Sequence, residues 1–493
     1  MLTIRKLSLG QGYRYLMDSI AVGDGRVDQS SELTRYYAES GTPPGRWKGA
    51  GLADLGGGKG IEHGSEVTES QLWNMLGLVA DPLTGEPVGQ ALRIRRVSMS
   101  DRIKAKVAQL PETLTGEDRA LEIERIRAEE AQAEKKIGKP VAGFDLTFSP
   151  SKSVSVAWAL ADAETKTIIY RCHQRAIDYV LGYAEREVIH SRSGKNGVLQ
   201  EDVTGISAAS FTHYDSRAGD PQLHDHVIVW NRAKSISDGK WRTLDGSGLY
   251  KSIVTLGVMH EGVLSDLLTE SLGVGWEERV TPGGMPKSEI IGIPTDLMEE
   301  FSQRVAAVRE HKAHLVEQFT LAHGRAPSAV ESVRLAQQAN LETRQDKVHR
   351  SLAEMSIDWR QRAARYLDDD PTTFVASLAN RNELPLLRVA DLSEEMLQEV
   401  AGLALERVSE RHATFGRINV LAEVHRQLQG LRFVDLRKSA VIRHQDRPGL
   451  DKSLSASEVI GQIGTVMWRV LNYTTRERAR GDKGFSLVSY LLG

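Results

Sequence analysis

Three histidines close together in the chain have a spacing that suits metal binding. His224 and His226 flank one residue, and on a β-strand residues i and i+2 project from the same face. His213 lies eleven residues before His224 on another predicted strand, and residues 215–221 between them have the composition of a turn. Antiparallel pairing of the two strands would bring the three imidazoles together. The sequence therefore predicts a metal site with open coordination positions, suited to zinc hydrolysis or to iron or copper oxidation.

Four tyrosines near the amino terminus offer a second chemistry. Tyr13 and Tyr15 are two residues apart, and Tyr36 and Tyr37 are adjacent. A tyrosine phenolate can attack phosphorus and form a covalent phosphotyrosine. Because the ordinary pKa of a phenol is about 10, a nearby cation must favour the ionised form. The metal would also polarise the scissile phosphate, so that the sugar oxygen leaves more easily.

The histidines need a sheet to carry them, and apolar alternation predicts its strands. Predicted strands cover residues 2–7, 141–149, 211–214 and 223–230. Predicted helices cover residues 116–138, a segment that ends at 183, 248–272, 294–345 and 390–430. We therefore predict an α+β fold with a central antiparallel sheet. In the strand 223–230, the even-numbered residues should share the histidine face, and helices should pack on the other face of the sheet.

Length and composition bound the remaining interpretation. A chain of 493 residues suggests two to four domains at roughly 100–200 residues each. Lys and Arg number 63 against 66 Asp and Glu, so a uniformly basic binder is excluded, but a locally basic groove is not. The single cysteine, Cys172, excludes an intrachain disulfide and fits a reducing compartment. Without a signal-peptide core or an apolar run of about 18 residues, a cytoplasmic protein that is not inserted in a membrane is expected.

Several motifs spread along residues 1–365 together resemble one known family. They are Tyr36-Tyr37 followed by Gly45-Arg46-Trp47-Lys48-Gly49, Asp145-Leu146-Thr147-Phe148-Ser149 with Lys152-Ser153-Val154-Ser155, Phe211-Thr212-His213, Asp220-Pro221-Gln222-Leu223-His224-Asp225-His226, and Trp241-Arg242-Thr243-Leu244-Asp245. In this order and spacing they resemble the MobF family of conjugative relaxases, the TrwC/TraI-like members of the HUH endonuclease group. The resemblance implies a relaxase domain over residues 1–366, with the sheet of the HUH fold.

The resemblance also assigns a metal site. His213, His224 and His226 match the family's metal-binding triad, and Asp145 matches the acidic residue that orients a ligand histidine. The family implies a divalent cation, Mg²⁺ or Mn²⁺. Ligand chemistry alone favours a transition metal such as Zn²⁺ on three imidazoles, since Mg²⁺ prefers oxygen.

The early tyrosines match the family's nucleophile cluster, with one departure from the family's pattern. Relatives often carry two adjacent tyrosines at the first position, whereas here Arg14 separates Tyr13 from Tyr15. We favour Tyr15 for the first cut, with Tyr13 close behind. Tyr36 is the candidate for a second strand transfer, and Tyr37 is expected to pack.

The implied activity is metal-dependent nicking of one DNA strand at an origin of transfer of a plasmid or integrative element. Tyrosine attack would leave a 5′-phosphotyrosyl link and a free 3′-hydroxyl, and the reverse reaction would rejoin the strand. The implied partners are single-stranded DNA, relaxosome accessory proteins and a conjugative coupling protein. Cations near the site in sequence are the candidate DNA contacts: Lys152, Arg217, Lys234 and Lys251.

A second region is predicted at residues 367–493, after the run from Asp368 to Pro371, which has the composition of a linker. It is mainly helical, and residues 403–434 resemble the start of the segment that leads into a helicase in larger relatives. The phosphate-binding motif G-x-x-x-x-G-K-[ST] does not occur in the sequence, so ATP hydrolysis is not expected.

Two other functions stay open from the sequence. A three-histidine metallohydrolase or oxygenase acting on a small molecule would not need the tyrosines. A non-catalytic DNA-binding initiator protein with a degenerate site would bind DNA regardless of metal and would form no covalent adduct.

Overall fold

The computed structural model describes most of the chain up to residue 433. The described residues are 1–10, 43–90, 99–111, 113–136, 140–194, 197–280, 286–345, 350–383, 385–387, 394–412, 415–429 and 431–433. Their strands are β1 (Leu2–Ser8), β2 (Arg46–Lys48), β3 (Val141–Phe148), β4 (His190–Ser193), β5 (Leu199–Asp202), β6 (Ala208–Asp215), β7 (Pro221–Trp230), β8 (Ala233–Lys234), β9 (Trp241–Arg242), β10 (Trp276–Val280), β11 (Pro286–Ile290), β12 (Leu386–Leu387) and β13 (Arg432–Phe433).

The α-helices within the described ranges lie mainly after the third strand. They are α1 (Glu69–Leu72), α2 (Met99–Ala108), α3 (Gly116–Lys136), α4 (Lys152–Leu160), α5 (Ala163–Glu187), α6 (Gly246–Leu272), α7 (Thr295–Glu300), α8 (Gln303–His323), α9 (Ala329–Glu342), α10 (Leu352–Ala363), α11 (Pro371–Phe374), α12 (Glu394–Arg411) and α13 (Arg417–Leu428). Shorter helical turns occupy Ala50–Asp54, Gly56–Gly58, Trp73–Leu78 and Val375–Leu378.

A five-stranded sheet forms the centre, in the order β1-β3-β7-β6-β2. Every neighbouring pair in it is antiparallel. The other strands form two-stranded sheets, β4 with β5, β8 with β9, β10 with β11 and β12 with β13. The α+β fold with a central antiparallel sheet, predicted from the sequence, is therefore confirmed.

Strand β7 divides two apolar cores, as its alternation predicts. Val227 and Val229 belong to the core formed with the long helices α5 and α6. Ile228 and Trp230 belong to a second core on the opposite face, which contains Trp47 of β2. The even-numbered residues of β7, and with them its two histidines, therefore lie on the sheet face that α5 and α6 do not cover.

The covering helices start at side-chain caps and approach the sheet closely. Asp162 accepts a hydrogen bond from the Thr165 backbone N–H at 2.8 Å at the start of α5, and Asp245 accepts one from the Ser247 N–H at 3.1 Å at the start of α6. Gly257 lets α6 lie against β1, since a Cβ there would stand only 3.1 Å from the Leu2 Cβ. The two helices thereby pack against the face of the sheet opposite the histidines.

The segment 294–345 is helical, as predicted, but divided into three helices. Gly324 ends α8 in a left-handed conformation at φ 64°, which glycine adopts without strain. Ser328 then caps α9 by accepting a hydrogen bond from the Glu331 N–H. The composition of the segment favours one continuous helix, but two or three capping residues are enough to end one helix and begin the next.

Chain beyond residue 366 contributes to a third core. Phe374, Val375 and Leu378 pack with Val154 and Trp158 of α4. The chain thus passes the predicted boundary at residue 366 without leaving this core, and the two-domain division stays a prediction. None of the helices in the described ranges is long and apolar enough to cross a membrane.

Candidate metal centre

The three histidines lie at the turn end of the hairpin formed by β6 and β7. His213 pairs directly with His224 in the antiparallel register. The connecting turn closes through a hydrogen bond from the Ser216 N–H to the Asp220 carbonyl at 2.9 Å, with Gly219 at φ 76°. The predicted pairing of the two strands across residues 215–221 is confirmed.

The pairing gathers the imidazoles into one cluster. The ring centroids of His213, His224 and His226 are 5.1 to 5.3 Å apart. One ligand nitrogen from each ring lies within 4.8 Å of the other two, and the described part of the chain holds no other group of three such ligands. His213 is buried, and the other two are half-buried. This donor set fits one divalent cation.

Asp145 and Thr147 on β3 hold the ring of His226. The Asp145 carboxylate oxygens lie 2.9 and 3.1 Å from His226 Nδ1, and the Thr147 hydroxyl lies 3.2 Å from the same nitrogen. Nδ1–H therefore donates to the carboxylate, which leaves Nε2 as the ligand atom. Thr147 pairs opposite His226 in the sheet and was missed at the sequence level. Its position two residues after Asp145 on an alternating strand was the available signal.

A backbone group orients His224 in the same way. Its Nδ1 lies 2.8 Å from the Gln222 carbonyl oxygen, which can only accept. Nδ1 therefore carries the proton, and Nε2 is left for a ligand role. Two of the three rings are thus held in the same tautomer by partners on β3 and β7.

Of the four predicted DNA contacts, two lie at the hairpin end that carries the histidines. Lys152, at the start of α4, donates to the carbonyl of Pro221, the first residue of β7, at 2.7 Å. Burial lowers the pKa of this ammonium group to about 8. Arg217 lies in the turn itself and donates to the Gln345 carbonyl at 3.2 Å.

The structure does not bring the other two cations to the site. Lys234 lies beyond the far end of β7 and pairs with Asp54 at 3.2 Å. Lys251 is exposed on α6, which packs on the sheet face opposite the histidines. The candidate nucleophiles lie outside the described residues: Tyr13, Tyr15, Tyr36 and Tyr37.

Helix α10 fixes the turn from the side. Trp359 donates its indole N–H to the Gly219 carbonyl at 2.8 Å, and the Arg362 guanidinium contacts Asp220 Oδ1 at 2.8 Å. The second oxygen of Asp220 accepts from the Gln303 N–H at 2.9 Å. Asp220 is fully buried. The loop that precedes the histidines is therefore anchored by residues about 140 positions later in the chain.

We expect Arg362→Met to lower the free energy of unfolding by about 3 kcal/mol, because it removes the guanidinium that is hydrogen-bonded to the buried Asp220 carboxylate. Chemical denaturation would measure the change. Arg325→Met is the control, since Arg325 forms an exposed pair with Glu331, and it should have a much smaller effect. Equal effects of both substitutions would contradict the anchoring role of Arg362.

Comparison with known proteins places these features in a family. Multifunctional conjugation protein TraI of Escherichia coli is 27% identical over 327 residues, which are 64% of this chain and 17% of that protein. TraI of Escherichia coli strain K12 is 26% identical over 327 residues, with the same coverage. This chain therefore spans only 17% of the length of these curated relatives.

Solved structures of a relaxase are also similar. Conjugative relaxase TrwC in complex with oriT DNA, in a copper-bound form, is 24% identical with a TM-score of 0.49, and the match covers 74% of this chain and 98% of that one. TrwC complexed with a 27-mer DNA that comprises the recognition hairpin and the cleavage site is 24% identical with a TM-score of 0.47 and the same coverage. A family model described as TrwC relaxase matches residues 9–366. Because that match covers well over half of the 493 residues, this chain belongs to the TrwC relaxase family.

Proposed function

We propose that this chain is a conjugative DNA relaxase, which cuts and rejoins one strand of plasmid or integrative-element DNA at an origin of transfer. The observation that carries the proposal is the cluster of three imidazoles on paired strands, in a chain of the TrwC relaxase family. The conjugation function in the name of the TraI relatives supports the same class of substrate. We place the reaction in the cytoplasm, where such DNA lies.

The proposed cofactor is a divalent cation held by His213, His224 and His226. Mg²⁺ and Mn²⁺ are our candidates for the cell, and Zn²⁺ suits the nitrogen ligands. When bound, the cation would supply Lewis-acid polarisation of a phosphate oxygen. Asp145 and Thr147 keep the His226 proton on Nδ1, so that the ring presents its other nitrogen to the cation.

The proposed reaction is a transesterification on one DNA strand, in which one bond to phosphorus forms and another breaks. The phenol oxygen of Tyr15, or of Tyr13, forms a bond to the phosphorus of a phosphodiester, and the bond from phosphorus to the 3′-oxygen breaks. The phenol proton leaves the tyrosine, and the released 3′-oxygen gains a proton. Tyr36 is our candidate for a later strand transfer, with Tyr37 beside it. Because one phosphodiester replaces another, the reaction runs in both directions.

The proposed DNA path passes the turn end of the β6–β7 hairpin. Lys152 and Arg217 lie there and would place positive charge beside the phosphate backbone. Lys234 and Lys251 would serve only a strand that extends to other faces of the protein. Relaxosome accessory proteins and a coupling protein are the further partners we propose, in keeping with the multifunctional conjugation role for which the TraI relatives are named.

The decisive experiment uses a single-stranded oligonucleotide from the transfer origin of the element that encodes this chain. Incubation with Mg²⁺ or Mn²⁺ should give a covalent protein–DNA adduct on a denaturing gel, and mass spectrometry should place it on Tyr15 or Tyr13. Chelator should abolish the adduct. Substitution of all four tyrosines, at positions 13, 15, 36 and 37, with Phe should also abolish the adduct while the protein remains folded.

The other two functions give different results in this experiment. DNA binding that is indifferent to chelator, without any adduct, would favour the non-catalytic initiator. A metal-dependent activity on a small molecule that survives all four Phe substitutions would favour the metallohydrolase or oxygenase.

A further inference from the structure

A buried polar cluster lies directly behind the candidate metal centre. Asp225 stands between His224 and His226 on β7, so its side chain projects from the opposite face of the sheet. It is fully buried. Its Oδ2 accepts hydrogen bonds from three side chains, at 2.8 Å from Ser210, 2.9 Å from Thr212 and 2.9 Å from Gln174. The carboxylate thus connects β6, β7 and α5.

The cluster extends through two buried imidazoles. Asp225 Oδ1 lies 3.3 Å from Nε2 of His173 on α5, and His173 Nδ1 lies 3.1 Å from Nε2 of His260 on α6. Burial holds the pKa of His260 well below its usual value, so this ring is neutral. His173 Nδ1 and His260 Nε2 share one hydrogen bond, and Nε2 of His173 faces the Asp225 carboxylate. Phe148 of β3 packs beside His260, with 5.3 Å between the two ring centroids.

The cluster lies next to the residue pair of the β6–β7 hairpin that contains two of the histidines. Thr212 pairs directly with Asp225, and the next pair is His213 with His224. A slip of one residue would turn Asp225 towards the metal face and the histidines into the core. In the observed register the three donors and His173 surround Asp225. A shifted register would separate the carboxylate from them, and an unpaired buried carboxylate is strongly unfavourable.

Stability alone does not explain a carboxylate at this position. Val227 and Val229 follow on the same face and pack in an apolar core, so an apolar side chain at 225 would continue their pattern. Replacing a buried charged cluster with apolar residues is often neutral or stabilising. Hydrogen bonds in a polar cluster define the relative positions of the groups they connect more closely than apolar packing does.

We propose that Asp225 is a positioning residue for the metal centre: together with Ser210, Thr212 and His173, it fixes the separation of the three imidazoles from behind the sheet. Its side chain lies on the face of the sheet opposite the histidines, so it would act through them. This inference rests on the proposed function only in taking the three histidines as a metal site.

The test measures metal binding without DNA. Co²⁺ is the probe, because its visible absorption reports the arrangement of its ligands, and calorimetry with Mn²⁺ gives an affinity. Asp225→Asn should weaken Mn²⁺ affinity by about 10-fold, as loss of a group that orients ligands does, and should shift the Co²⁺ spectrum. Glu423→Gln is the matched control, because Glu423 is also a buried carboxylate, on α13 beside Arg411 and Arg426, and it should change neither readout.

The outcomes separate the two proposals. If the unaltered protein binds no Co²⁺, or if substitution of His213, His224 and His226 leaves Co²⁺ binding unchanged, the metal site itself is wrong. If it binds Co²⁺ and folded Asp225→Asn gives the same spectrum and affinity, the positioning role is overturned. Should Asp225→Asn fail to fold, Thr212→Val, which keeps the side-chain shape and removes one donor, takes its place. An altered Co²⁺ spectrum and weaker Mn²⁺ affinity in Thr212→Val would support the positioning role, and unchanged values would overturn it.

Discussion

Substituting His226 with alanine should weaken Mn²⁺ affinity by about 100-fold or more, because loss of a group that merely orients a ligand already costs about 10–100-fold. Both Asp145 and Thr147 contact the His226 ring at Nδ1. Calorimetry on the purified protein measures the affinity. Formation of the DNA adduct should fall with it and recover in part at high Mn²⁺ concentration.

A histidine outside the cluster provides the control for this substitution. His323 lies exposed at the end of α8, where its Nδ1 faces the Phe319 carbonyl. His323→Ala should leave both Mn²⁺ affinity and adduct formation unchanged. If His226→Ala binds Mn²⁺ as tightly as the unaltered protein, the three imidazoles do not form the metal site.

Asp145→Asn is expected to reduce Mn²⁺ affinity by about 10–100-fold with little change in structure. The amide is the same size as the carboxylate, but its NH₂ group can donate to His226 Nδ1 and so favour the tautomer that protonates the ligand nitrogen. Loss of the negative charge also makes the imidazole a weaker base. The affinity should be compared by calorimetry at constant pH, with circular dichroism to verify the fold.

Asp54→Asn is the matched control for Asp145→Asn. Asp54 is a carboxylate that accepts from Thr204 and pairs with Lys234, away from the histidines. We expect its substitution to leave Mn²⁺ affinity unchanged. A similar loss of Mn²⁺ affinity in both variants would indicate a general effect of charge and would contradict the claim that Asp145 orients His226.

The hairpin of the candidate site could be predicted from local sequence because its signals are local. Strand alternation gives the face of each β7 residue, and the turn composition between Asp215 and Pro221 gives the pairing of His213 with His224. Asp145 came from the family resemblance, since nothing local connects it to His226, 81 residues later.

The support behind the site could not be predicted, since it depends on which helices cover the other face. Strand alternation places Asp225 on the face of Val227 and Val229, but nothing local gives its carboxylate a partner until α5 brings His173 and Gln174 against it. The anchoring of Asp220 by Arg362 likewise joins residues 142 positions apart. Apolar periodicity identifies such helices but does not give their docking position, which is set by packing over the whole core.

The contact of Trp359 and Arg362 with the hairpin turn has a practical consequence for shortening this protein. A fragment that stops before α10 would keep all three histidines but lose the indole and the guanidinium that grip Gly219 and Asp220. Expression clones meant to isolate the histidine cluster should therefore extend through Ala363 at least, although the last histidine of the cluster is residue 226.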